Sequence, residues 1–299
     1  MVSSLHETSS QHTNGPDHGK PRHSGGRLDA KVPLESSTRR HGPTILMKDY
    51  RARPDLLAER VILVTGAGDG LGKAASLSFA AHGATVILLG RTLKKLERVY
   101  DEIEKAGHPQ PAIYPMNLEG ATPKDYEELS NVVRTNFGRI DGILHNAAEM
   151  GTLTPLVHYD VMTWVKVLQA NLTAPFLLTQ SLLPLLIETG ETRVMFTHDE
   201  VADSGKAYWG AYGASKGGAL TLMRTLANEL EANTGVRVNA VCPGPVATRL
   251  RLRAYPAENR AVLPRPADLM GTYLYLMGPD SQSLTGQVVT AEPDSKETK

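Results

Sequence analysis

The chain has 299 residues, 41% of them hydrophobic and 21% charged, with a formal net charge of zero. That balance is typical of a globular protein and argues against a general nucleic-acid binder, for which a basic excess is expected. Cys242, the one cysteine, excludes an intrachain disulfide and fits a reducing compartment such as the cytoplasm.

Residues 1–46 hold five of the ten histidines, many Ser, Gly, Pro and Thr, and no aromatic residue. Such a segment offers too little apolar surface to offset its ordering entropy, so a disordered extension is expected there. It lacks the apolar core of a secretory signal, and Glu7, Asp17, Asp29 and Glu35 are unlike a transit peptide. The folded part is expected to be a single domain over residues 47–299.

From Arg60 onward, strands and helices alternate. The predicted strands are 60–65, 84–90, 112–116, 140–145, 193–197, 236–241 and 287–291. Between them lie predicted helices at 71–82, 92–106, 123–137, 160–188, 212–233 and 267–277, with 249–265 irregular. In the second helix Leu93, Leu96, Val99, Tyr100 and Ile103 form the apolar stripe, and Thr92 stands at the cap position. The long helix is expected to bend near Pro175 and Pro184. No stretch reaches the roughly 18 apolar residues of a membrane span. The nearest approach, residues 170–187, is broken by Asn171, Thr173, Gln180 and Pro184 and reads as a buried helix. The implied fold class is α/β: a Rossmann-type doubly wound parallel sheet of about seven strands with helices on both faces.

Two motifs carry chemistry. Thr65-Gly66-Ala67-Gly68-Asp69-Gly70-Leu71-Gly72 directly follows the apolar run Val61–Val64. A glycine turn between a strand and a helix lets backbone approach a pyrophosphate and aims helix N–H groups at it. Downstream, Tyr212 and Lys216 stand four residues apart, on one helical face. An ammonium near a phenol favours the phenolate and brings its pKa toward a useful range. Neither motif is decisive alone; together they point to hydride transfer with proton relay.

In this order the motifs resemble the short-chain dehydrogenase/reductase family over residues 47 to about 291. His145-Asn146-Ala147-Ala148 resembles its Asn-Ala-Gly motif, with Ala148 in place of glycine. Pro243-Gly244, Val246 and Thr248 follow the sixth strand as the family's nucleotide-contacting loop does. Tyr50–Leu57, Gly205–Lys216 and Pro266–Gly278 look like the bacterial YciK-like oxidoreductases. The resemblance implies that Tyr212 is the acid/base group, that Lys216 also binds the nicotinamide ribose, and that Asn171 holds a water in the proton path. It places Thr65, Gly66, Gly68, Asp69, Gly70, Leu71, Gly72, Asn146 and Ala147 at the cofactor. Asn117 and Leu118 fall where the family contacts adenine.

Cofactor choice rests on Leu88-Leu89-Gly90-Arg91-Thr92, which has no carboxylate for a ribose 2′-hydroxyl. Arg91 offers a permanent charge for a 2′-phosphate, so NADP(H) is favoured over NAD(H); otherwise Arg91 simply decorates the helix start. One position departs from the family. Thirteen residues before the tyrosine, where the family keeps a serine, stands Asp199. An ionised carboxylate cannot donate a hydrogen bond and raises a neighbouring phenol's pKa. Asp199 protonated, Thr197 or Ser204 in its place, or a shifted loop would each restore a donor.

Two readings follow. One is an oxidoreductase acting on a small carbonyl or alcohol; the other is a cofactor-binding pseudoenzyme disabled by Asp199. No metal site is read, because His198, Asp199 and Glu200 are adjacent instead of spaced for a metal. Neither a nucleic acid nor a membrane is an expected partner. The substrate lid is expected over 248–264, with Met150, Gly151, Thr152 and Trp209 as further wall candidates. The helix at 160–188 is apolar around much of its circumference; the resemblance implies that this helix and the one at 212–233 make a four-helix contact with a second subunit, giving a homodimer or homotetramer.

Overall fold

The computed structural model describes residues 45–47 and 50–293. The extension expected over 1–46 therefore lies outside the described residues up to position 44. Eight strands form one sheet: β1 (Ile45–Met47), β2 (Val61–Thr65), β3 (Thr85–Gly90), β4 (Ala112–Pro115), β5 (Gly142–His145), β6 (Arg193–Thr197), β7 (Arg237–Cys242) and β8 (Val288–Ala291). Their order is β4-β3-β2-β5-β6-β7-β8-β1, and every pairing is parallel. Seven of the strands match the expectation. The eighth corrects the predicted boundary: Ile45 and Leu46, assigned to the disordered extension, pair with Val289 and Thr290.

A strand buried on both faces must be apolar at every position, and β2 shows why. Val61 and Leu63 enter the core on one side of the sheet, Ile62 and Val64 the core on the other. The first core is closed by α3 (Pro123–Phe137), α5 (Ala174–Thr189) and α7 (Gly210–Leu230) through Leu129, Leu182, Leu186 and Met223. The second is closed by α1 (Gly70–Ala81), α2 (Leu93–Lys105) and α9 (Met270–Met277) through Phe79, Val99, Ile103 and Tyr273. In α2 the stripe narrows to Leu96, Val99 and Ile103, and Leu93 is exposed. Thr92 occupies the N-cap position without a side-chain capping bond.

The long predicted helix is three pieces. α4 (Val161–Leu168) runs into a π-helical turn at Gln169–Thr173 and then into α5, with Pro184 inside the latter. The irregular turn thus precedes Pro175 and contains Asn171. The whole segment 161–189 is long and apolar enough to cross a membrane, yet half of its most apolar stretch is buried inside this fold. Two short helices depart from the expectation: α6 (Val201–Ser204) after β6, and α8 (Arg249–Ala254) in the lid that reads as irregular from sequence.

After the edge strand β1, the chain builds from β2 outward to β4, then returns to β5 and builds the other way. At such a switch point adjacent crossovers diverge and open a crevice beyond the strands' carboxyl ends.

Candidate active site

That crevice is a cleft of about 420 Å³. One end is the β2–α1 turn. Gly66 has φ +67°, and a Cβ on Gly72 would stand 2.3 Å from the Gly66 carbonyl oxygen and 2.6 Å from Asn146 Nδ2. The turn can therefore close this tightly only with glycine there. Asp69 caps α1, its Oδ1 accepting the Gly70 N–H at 2.9 Å. Gly66, Gly68, Asp69, Gly70 and Leu71 line the cleft, an open backbone cradle at a helix N-terminus that fits a pyrophosphate. Thr65 and Gly72 do not line it; they shape it. The buried Thr65 Oγ1 accepts the N–H groups of Asn146 (2.9 Å) and Ala147 (3.0 Å) and donates to the Leu144 carbonyl at 3.3 Å.

Beyond the turn, Arg91, Asn117 and Leu118 line the same cleft, as do Asn146, Ala147, Pro243, Gly244, Val246 and Thr248. Arg91 is 59% exposed, donates to Glu119 and lies 3.8 Å from Glu149. Asn117 Oδ1 accepts the Glu119 N–H at 3.3 Å.

At the far end the first turns of α7 present Tyr212 and Lys216, both buried. The Tyr212 hydroxyl donates to Asp199 Oδ2 at 3.1 Å, and Asp199 Oδ1 accepts the Val201 N–H at 3.0 Å. Asp199 is thus the side chain that meets the Tyr212 hydroxyl. Thr197 and Ser204 do not replace it: the Thr197 hydroxyl faces Asn146 Oδ1 at 3.5 Å, and Ser204 Oγ faces the Val201 carbonyl at 3.5 Å. Lys216 Nζ donates to the Thr197 carbonyl at 2.8 Å and lies 5.7 Å from the Tyr212 ring centre. Burial, then the Asp199 charge and hydrogen bond, push the Tyr212 phenol well above its ordinary pKa. Burial pulls the Lys216 ammonium down to about 8, against the pull of Asp199.

Asn171 stands behind the cleft. Its Oδ1 accepts the Glu149 N–H at 2.7 Å, while its Nδ2 donates to the Glu149 carbonyl (2.8 Å) and to Ser215 Oγ (2.9 Å). It ties the loop after β5 to α7. His198 pairs through Nε2 with Asp203 at 2.9 Å.

Three charged residues of the cleft, Lys95, Glu119 and Glu149, escaped the sequence reading, whereas the lid arginines were expected there. Lys95 meets Asp69 at 2.6 Å, and Arg249 on α8 reaches the same carboxylate at 3.6 Å. Glu149 sits between Arg91 and Arg253, 3.6 Å from the latter. Lys95 carries a readable signal, standing one helical turn after Arg91. Glu149 carries none, because its partners Arg91 and Arg253 come from distant parts of the chain. Trp209, a wall candidate from sequence, is buried beside Tyr212 with ring centres 5.5 Å apart.

Comparison with known proteins agrees with this geometry. Residues 60–259 match the family model described as short chain dehydrogenase. The chain is 41% identical over 247 residues to the uncharacterized oxidoreductase YciK of Escherichia coli (strain K12), covering 83% of this chain and 97% of that protein. A short chain dehydrogenase structure from Pseudomonas syringae superimposes with a TM-score of 0.80 at 50% identity, covering 82% of this chain and all of that one. A short chain dehydrogenase from Escherichia coli CFT073, solved in complex with NADPH, superimposes with a TM-score of 0.78 at 42% identity, covering 81% and 100%. The fold, the glycine turn and the Tyr-Lys pair at the switch point thus coincide with a match across most of the chain, and the protein belongs to the short-chain dehydrogenase family of oxidoreductases.

Proposed function

We propose that the protein is an NADP(H)-dependent oxidoreductase that moves hydride between the nicotinamide and a small carbonyl or alcohol substrate, with Tyr212 as the acid/base group. One observation carries the reading: a single cleft joins a pyrophosphate cradle, a cation at the end of β3, and the Tyr212–Lys216 pair. The NADPH bound by the Escherichia coli relative supports the choice of cofactor. When bound, the dinucleotide supplies or accepts the hydride. The chain's own residues do the rest. Gly66–Leu71 receive the pyrophosphate, and Arg91 exchanges Glu119 for a 2′-phosphate. Lys216, held by the Thr197 carbonyl, would bind the nicotinamide ribose, and Tyr212 would give its proton to the substrate oxygen in reduction. The buried free thiol of Cys242 is in keeping with a cytoplasmic setting.

The test is NADPH titration followed by turnover of a carbonyl panel. Tyr212→Phe should remove carbonyl turnover and leave NADPH affinity within a few-fold of wild type. Full activity in that variant would refute the proton-transfer role. A second reading, a cofactor-binding protein with impaired catalysis, is favoured by one contact: Tyr212 already spends its hydroxyl on Asp199.

A further inference from the structure

Asp199 changes what the cleft offers a reacting atom. Both of its oxygens are acceptors here, one for the Val201 N–H and one for the Tyr212 hydroxyl. A carbonyl oxygen gathering negative charge beside them meets a repelling charge and loses a donor. A protonated nitrogen has the opposite requirement: it donates N–H, and its charge is offset by a carboxylate.

The surroundings agree. Trp209 packs within 5.5 Å of the Tyr212 ring and 5.9 Å of the Tyr255 ring. The Lys206 ammonium already lies over two of these rings, 5.9 Å from Trp209 and 4.7 Å from Tyr255, so aromatic faces that attract cations border the site. Three of the four lid arginines are engaged by acids, and the fourth, Arg260, donates to the Ala247 carbonyl at 3.5 Å. Arg251 forks onto Glu258 at 2.6 and 2.7 Å, Arg249 reaches Asp69 at 3.6 Å, and Arg253 reaches Glu149 at 3.6 Å. Lys216, the one buried cation beside Asp199 among the described residues, turns its Nζ to the Thr197 carbonyl.

We propose that this cleft also acts on carbon–nitrogen bonds, taking iminium and amine substrates whose protonated nitrogen is held by Asp199. The assignment rests on the reading of the cleft as an NADP(H) hydride-transfer site. In the reductive direction the carbon of a protonated imine receives a hydride, a proton with two electrons, from the reduced nicotinamide. A C–H bond forms, the C=N π pair becomes the nitrogen lone pair, and the products are a neutral amine and oxidised nicotinamide. The amine then takes a proton from water. No proton passes from the protein during hydride transfer, so a phenol made weakly acidic by burial and by Asp199 does not obstruct it.

The experiment is calorimetric titration of the full chain, saturated with NADP⁺, with 2-methylpyrrolidine and with its uncharged analogue 2-methyltetrahydrofuran. The ammonium should bind at least about tenfold more tightly, the scale of one hydrogen bond to a charged group. Asp199→Asn and Asp199→Ser should each erase that preference, and NADPH consumption with 2-methyl-1-pyrroline should fall with them. Equal affinity for the two probes in wild type, with NADP⁺ measurably bound, overturns the proposal and leaves the hydride-transfer reading standing. Failure of NADP⁺ to bind overturns both.

Discussion

Burial opposes ionisation of the Tyr212 phenol most, and the Asp199 charge and the Tyr212–Asp199 hydrogen bond add to it. Alcohol oxidation needs the phenolate as base, so its rate should climb with pH and be small near neutrality. Reduction needs the phenol, which is present throughout that range. Asp199→Ser removes the carboxylate, so the Tyr212 pKa falls and the oxidation profile should move to lower pH. The same change withdraws the support Asp199 gives the Lys216 charge, so the limb that begins near pH 8 with that ammonium should move down as well. Rate-against-pH curves in both directions decide this; identical curves for the variant and wild type would refute it. At the other end of the cleft, exposed pairs such as Arg91–Glu119 are worth at most about 1 kcal/mol, so a 2′-phosphate can displace Glu119. Arg91→Ala should weaken NADPH about tenfold or more, the scale of a lost charged hydrogen bond, and weaken NADH little. Equal small losses for both cofactors would remove the case for NADP(H). Tyr212 was legible from its four-residue spacing to Lys216, Asp199 from the family's thirteen-residue spacing to the tyrosine, and Arg91 from its place at the end of a strand. Glu149 was not, because its role comes from where the loop after β5 meets α8.

Elements were legible where local pattern and tertiary use coincide. β2 and β3 are apolar runs because both faces are buried, and α1 begins at a capped glycine turn. The π turn at Gln169–Thr173 changes a few hydrogen bonds without disturbing the apolar pattern, so sequence reads straight through it. α8 reads as irregular because Arg and Leu alternate in Arg249–Arg253, although the Thr248 hydroxyl caps it by accepting the Arg251 N–H at 3.2 Å. β1 is three residues long and gains its identity only from β8, at the far end of the chain. It also covers the edge of β8, which would otherwise present open hydrogen-bonding groups. Removing residues 1–47 should therefore lower the melting temperature by several degrees, on the scale of about 2–4 °C per kcal/mol for a chain of this size. Removing residues 1–44 alone should cost less. Equal melting temperatures for the two truncations would show that β1 contributes nothing to stability.

At the scale of the whole molecule, the two cores consume the inner faces of the helices, and what is left over bears on assembly. On α5, Leu182, Leu185 and Leu186 are buried in the first core. Exposed side chains along α4 and α5 are apolar too: Val161 is 70% exposed, Met162 62% and Val165 50% on α4, and Phe176 43% on α5. The expectation that this helix is buried on more than one side is thus met by the sheet on the inside and left unmet on the outside of a single chain. A second copy docking α4 and α5 against its own equivalents would cover these side chains by two-fold symmetry, and a homodimer or a tetramer built from it is the assembly we propose. Sedimentation of the full chain at micromolar concentration should show a dimer or larger species with and without NADPH. The double variant Met162→Glu with Val165→Glu should shift that species to monomer, because two carboxylates per subunit would be buried without partners. Both side chains are exposed, so the variant's fold should survive, which circular dichroism checks. A monomer in wild type, or an unchanged oligomer in a folded double variant, would rule this face out.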